Sequence, residues 1–168
     1  MVAPIASVRA AAVSAFREDF VVGQSICGRV EDIGVAEVWD RLRNDSGSVL
    51  IDVRTRAEWA FVGLPDLTQI GKQPVLVEWQ TFPDNREDSR FVEKLSSTLK
   101  DMGATQDAQL FFICRSGSRS RRAAQTMMAA GYASCINVAD GFEGPLDTDH
   151  RRGRTGGWKA AGLPWAQG

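Results

Sequence analysis

Apolar positions recur along the chain in two alternating rhythms, and their alternation predicts the architecture. Val35, Val38, Trp39 and Leu42 share one face of a helix over Val35–Leu42. Phe91, Leu95, Thr98 and Leu99 mark a second amphipathic helix that ends near Gly103. Short continuous apolar runs read instead as buried strands: Val49–Val53, Pro74–Trp79, Ala108–Ile113 and Cys135–Val138, with Ile26–Val30 as a first short strand. Proline opens the Pro74–Trp79 run, where its missing N–H matters least. Asn44–Ser48 is a turn cluster, and Arg56–Phe61 is a short helix stopping before Gly63-Leu64-Pro65. Thr81–Ser89 is a polar loop, and Arg121–Ala130, rich in helix formers, is a helix closed by Gly131. Strands alternating with helices predict an α/β domain: a central, mostly parallel sheet flanked by helices, with reactive loops gathered at the carboxyl ends of its strands.

One junction in this pattern carries chemistry. The strand Ala108–Ile113 runs into Cys114-Arg115-Ser116-Gly117-Ser118-Arg119-Ser120, which leads directly into the Arg121–Ala130 helix. Cys114 therefore falls at the carboxyl end of a strand and against a helix N-terminus, where unpaired N–H groups and the positive dipole end favour a thiolate. The thiolate is the nucleophilic form. Arg115 and Arg119 add positive charge, and Gly117 lets the backbone turn so that successive amides converge on one anion.

The stretch Cys114 to Arg119, Cys-Arg-Ser-Gly-x-Arg, resembles the active-site loop of the rhodanese family, the single-domain sulfurtransferases. Val49–Arg54 followed by Glu58-Trp59 resembles that family's Asp-x-Arg strand and short helix. Gly131-Tyr132 through Ile136–Phe142 resembles its strand after the catalytic helix, and Gly157–Pro164 its closing segment. The likeness spans roughly residues 28 to 165 in the family's order, which is more specific than a short loop alone. It implies a rhodanese-like three-layer fold over 26–168, with residues 1–25 as an N-terminal extension. It further implies Cys114 as nucleophile, with Arg115, Ser116, Gly117, Ser118 and Arg119 binding the substrate. The chain departs from the family just after the short helix. The usual Gly-His-Ile-Pro-Gly-Ala is here Gly63-Leu64-Pro65-Asp66-Leu67, without the histidine, which implies an altered pocket wall that Trp59, Phe61 and Trp79 would line.

Composition narrows the setting. The chain has 168 residues, 43% hydrophobic and 24% charged, enough for one domain with a sizeable core. A net charge of −1 and the lack of an apolar run of membrane-spanning length point to neither nucleic acid nor membrane as a partner. Cys27, Cys114 and Cys135 lie far apart, which argues against a disulfide framework or a zinc site and suits a reducing, cytoplasmic setting. Cys27 and Cys135 read as small buried hydrophobes. No cofactor and no metal are expected.

Two regions outside the loop bear on the chemistry. Asp52 and Arg54 stand two apart on a strand, on one face, and read as a structural ion pair near the site. The long stretch 142–156 holds the only histidine, His150, with Arg151, Arg152 and Arg154. Together with Arg115, Arg119, Arg121 and Arg122 it is expected to form a basic rim, His150 itself being a surface residue. Three functions are then in play. The first is transfer of a sulfane sulfur from a small anionic donor such as thiosulfate, or from a persulfide, to a thiol, cyanide or a sulfur-accepting protein. The second is a cysteine phosphatase or arsenate reductase, and the third a sulfur-carrying or binding module without turnover. Phosphatase loops of the related kind need Cys-x5-Arg; four residues separate Cys114 from Arg119, so the smaller ring favours sulfur.

Overall fold

The computed structural model describes residues 29–167. Five strands form one wholly parallel sheet: β1 (Glu31–Ile33), β2 (Val49–Asp52), β4 (Val75–Leu76), β5 (Gln109–Ile113) and β6 (Ser134–Val138), in the order β1-β6-β5-β2-β4. Two short strands, β3 (Leu64–Pro65) and β7 (Trp165–Ala166), pair antiparallel and tie the C-terminal segment beside the turn after the short helix. The helices are α1 (Val35–Asn44), α2 (Arg56–Val62), α3 (Phe91–Asp101), α4 (Ser118–Ala129) and α5 (Gly157–Ala160).

Strand alternation divides the core into two layers. Val49 and Ile51 of β2 and Leu110 and Phe112 of β5 pack with Leu95 and Leu99 of α3 and Ala123, Ala124 and Met127 of α4. Leu50, Phe111 and Ile113 turn the other way, onto Val38 and Leu42 of α1 and Trp158 of α5. Each such large side chain withdrawn from water contributes about 1.5–3 kcal/mol. Because both faces are covered, β2, β5 and β6 are mostly apolar, with polar residues only at their ends and at Asn137, which is why they read as continuous runs.

The expected boundaries shift at three places. Of the strand expected over Ile26–Val30, residues 26–28 lie outside the described residues, as does Cys27; β1 forms immediately after, at Glu31–Ile33. The Pro74–Trp79 strand shrinks to Val75–Leu76, although Val77 and Trp79 still donate backbone bonds to the Asp52 and Val53 carbonyls at 3.1 and 3.2 Å. The helix expected from Arg121 begins three residues earlier, at Ser118, because Gly117 takes a positive φ of 93° and turns the chain into it.

Candidate active site

Cys114 leaves the end of β5 and enters a loop held from below by the segment after β6. Phe142 N–H donates to the Cys114 carbonyl at 2.7 Å, and Glu143 N–H to the Arg115 carbonyl at 2.9 Å. That segment is held in turn by α5, whose Trp158 N–H donates to the Gly141 carbonyl at 2.9 Å. The packing leaves no room for a side chain at two points. A Cβ on Gly117 would lie 1.9 Å from the Ala139 carbonyl oxygen, and one on Gly141 2.5 Å from that of Cys114. Glycine is required at both.

The Cys114 sulfur receives two donors, Gly117 N–H at 3.2 Å and the Ser120 hydroxyl at 3.2 Å, and is 1% exposed. Arg115, Ser118 and Arg119 of the same loop line a cleft of about 600 Å3, whose walls include Glu58, Glu143 and Arg152. Ser116 is half-buried in the loop. Arg119 is not a free cation: its Nη1 and Nη2 donate to the two Glu58 oxygens at 2.8 and 2.6 Å. Glu58 also closes the capping box of α2, accepting from Thr55 N–H at 2.9 Å while its own N–H donates to Thr55 Oγ1. Burial alone would raise the Glu58 carboxyl, but hydrogen bonds from Arg119 and the Thr55 amide outweigh it and hold it at about 2. Burial likewise works against the charge of Arg119, yet Glu58 wins and its pKa is raised.

Asp52 and Arg54 meet beneath the loop as a fully buried pair, Arg54 Nε donating to Oδ1 at 2.9 Å and Nη2 to Oδ2 at 2.6 Å. Nη2 also donates to the Gly63 carbonyl at 2.7 Å, and the guanidinium lies 4.1 Å from the Phe142 ring centroid. The pair thus joins the end of β2 to the α2–β3 turn and to the segment beneath Cys114.

Several expected neighbours lie elsewhere. The rim holds fewer arginines than expected: Arg121 pairs with Asp32, Arg122 with Glu87 and Arg154 with Asp147, and only Arg115, Arg119 and Arg152 reach the cleft, beside Glu58 and Glu143. His150 is exposed and absent from the cleft. The aromatic wall is different too. Trp79 packs edge-on against Phe91 in the core, Phe61 is 79% exposed, and Val62 and Phe82 line the cleft instead of Trp59, Phe61 and Trp79. Sequence reasoning missed Glu58 and Glu143 as cleft residues, Ser120 beside the sulfur, and Asn137 behind Ser120. Asn137 carried a legible signal, a polar residue inside an otherwise apolar strand. Among the described residues, no cluster of His, Cys, Asp and Glu is arranged to hold a metal ion, and no helix is long and apolar enough to cross a membrane.

The fold is a parallel α/β sheet that carries a cysteine loop at the carboxyl end of its central strand. The STR4 middle-domain family model matches residues 31–168. A crystal structure of Rv0390 from M. tuberculosis is 41% identical, covers 84% of this chain and 100% of its own, and superposes with a TM-score of 0.75. An uncharacterised protein of Rickettsia rickettsii is 36% identical over 136 residues, 81% of this chain and 97% of its own. The chloroplastic rhodanese-like domain-containing protein 4 of Arabidopsis thaliana is 26% identical over 94% of this chain and 31% of its own length. The chain belongs to the rhodanese-like family.

Proposed function

We propose that the protein is a sulfurtransferase that carries a sulfane sulfur on Cys114. The Cys114 thiolate attacks the outer sulfur of thiosulfate or of a persulfide. A new S–S bond forms to Sγ, the donor's own bond to that sulfur breaks, and sulfite or the donor thiolate leaves with the electron pair. A thiolate or cyanide then attacks the outer sulfur of the Cys114 persulfide, and Cys114 leaves as thiolate. No external oxidant or reductant is needed. The observation that carries this reading is the sulfur at the N-terminus of α4, held between the Gly117 N–H and the Ser120 hydroxyl.

Two features speak against phosphate chemistry. Four residues separate Cys114 from Arg119, so the loop amides enclose a smaller space than a tetrahedral oxyanion needs. Arg119 is also committed to Glu58 on both of its terminal nitrogens, whereas a phosphate would require that fork. The test sets thiosulfate:cyanide transfer against aryl phosphate hydrolysis in the full chain. Measurable transfer with negligible hydrolysis is expected; faster hydrolysis than transfer overturns the reading.

A further inference from the structure

Ser120 has one proton and two acceptors for it. The residue is fully buried in the first turn of α4, and its Oγ lies 3.2 Å from Cys114 Sγ and 2.6 Å from Asn137 Oδ1. A hydroxyl donates one hydrogen, so it serves one acceptor at a time. The Asn137 amide cannot turn away, because its Nδ2 donates to Asp32 Oδ1 at 2.7 Å, and Asp32 is itself held by Arg121. Its Oδ1 therefore faces Ser120 purely as an acceptor.

We propose that Ser120 is the hydroxyl donor to the Cys114 thiolate, and that Asn137, anchored by Asp32, is a positioning residue that competes with the sulfur for that donor. The inference rests on the sulfur-transfer reading and deepens it. While the thiol is protonated, S–H donates to Ser120 Oγ and the hydroxyl donates to Asn137. When that proton leaves to solvent, the hydroxyl turns to the sulfur, the stronger acceptor, and Asn137 Oδ1 gives up its donor. In the persulfide the inner sulfur is neutral, and the hydroxyl returns to Asn137. When an acceptor takes the outer sulfur, the S–S bond breaks, its electron pair stays on Sγ, and the hydroxyl meets the departing thiolate. Of the other charges near the loop, Arg119 of α4 is paired with Glu58 of α2 and Asp52 of β2 with Arg54, while Arg115, Glu143 and Arg152 line the cleft without bonding to the sulfur. Asp32 of β1 and Arg121 of α4 stand one residue further out, on Asn137. This leaves the hydroxyl and the Gly117 N–H as the direct donors.

The two neighbours thus act on the thiolate with opposite signs, which a merely structural role for either would not produce. The experiment follows the rate of Cys114 alkylation by iodoacetamide against pH, resolved by peptide mass, in the full chain and in Ser120→Ala, Ser120→Thr and Asn137→Leu. Ser120→Ala is expected to move the midpoint up by about one pH unit, a tenfold loss of thiolate below it. Ser120→Thr, which keeps the hydroxyl, is expected to restore it, and Asn137→Leu to move it down. Thermal melts establish folding, and Asn137→Ala replaces Asn137→Leu if that variant does not fold. An unmoved midpoint in Ser120→Ala, or shifts of the same sign at both positions, overturns the inference. Alkylation needs no sulfur donor, so opposite shifts without any persulfide formation would sink the sulfur-transfer reading and leave this one standing.

Discussion

Of two buried thiols, one lies within β6 and the other just past the end of the neighbouring β5, and nearly everything that distinguishes them lies within a few ångströms of the sulfur. Cys114 is 1% exposed and Cys135 2%. Cys135 lies within β6, in register with Leu110 of β5, and its thiol finds only the Tyr132 carbonyl at 3.7 Å. Burial there pushes it up to about 12, so it holds no thiolate near neutrality. Cys114 stands just past the end of β5, where the chain turns into α4 and offers a backbone N–H and a hydroxyl. Both thiols belong to the same apolar core cluster; what differs is that buried Ser120, bonded to Asn137, reaches the Cys114 sulfur, while among the described residues no side-chain donor reaches Cys135. Equal burial thus leaves the two sulfurs with different hydrogen-bond partners.

The largest way to break that comparison is to remove each thiol. Cys114→Ser is expected to abolish thiosulfate:cyanide transfer with the fold intact, whereas Cys135→Ala keeps it; residual transfer in the first variant, measured as thiocyanate release, contradicts the assignment. Removing one partner of the buried pair beneath the loop attacks the polar surroundings. Arg54→Met leaves Asp52 uncompensated, and urea denaturation should show a loss of about 3–5 kcal/mol.

A smaller effect belongs to Glu58. Its folded value of about 2 lies below the ordinary 4.5, so it contributes stability that is fully present above pH 4.5 and is lost as pH falls toward 2. Glu58→Gln should lower stability at neutral pH by about 2–3 kcal/mol and flatten the acid limb between those values, as read by denaturation at several pH values. The least effect is reserved for the apolar thiol: Cys135→Ala should cost about 1–2 kcal/mol, with transfer activity unchanged. A loss of transfer in a folded Cys135 variant would mean the two thiols cooperate.

Local chemistry was legible in the chain and distant pairing was not. The apolar run before Cys114, the glycine in its loop and the helix formers beyond it are contiguous, and the structure places them as strand, turn and helix. The Asp52–Arg54 contact spans only two residues and so was legible, although Asp52 closes β2 and Arg54 lies just past it rather than on the strand as expected. By contrast, Arg119 meets Glu58 across 61 residues and Asn137 meets Asp32 across 105, and no periodicity encodes either partner. The expected basic rim came out smaller for the same reason, since counting arginines says nothing of the carboxylates that fold beside them. The Pro74–Trp79 run was read too long because its apolar residues continue into the core as Trp79 after the pairing strand has ended.

The most direct test is a mass measurement on the native chain. After incubation with thiosulfate and removal of excess donor, the protein should gain the mass of one sulfur atom, located on the peptide that carries Cys114 and released by cyanide as thiocyanate. No added sulfur, or sulfur found on Cys135 instead, would contradict the claim that Cys114 is the thiol this fold has prepared.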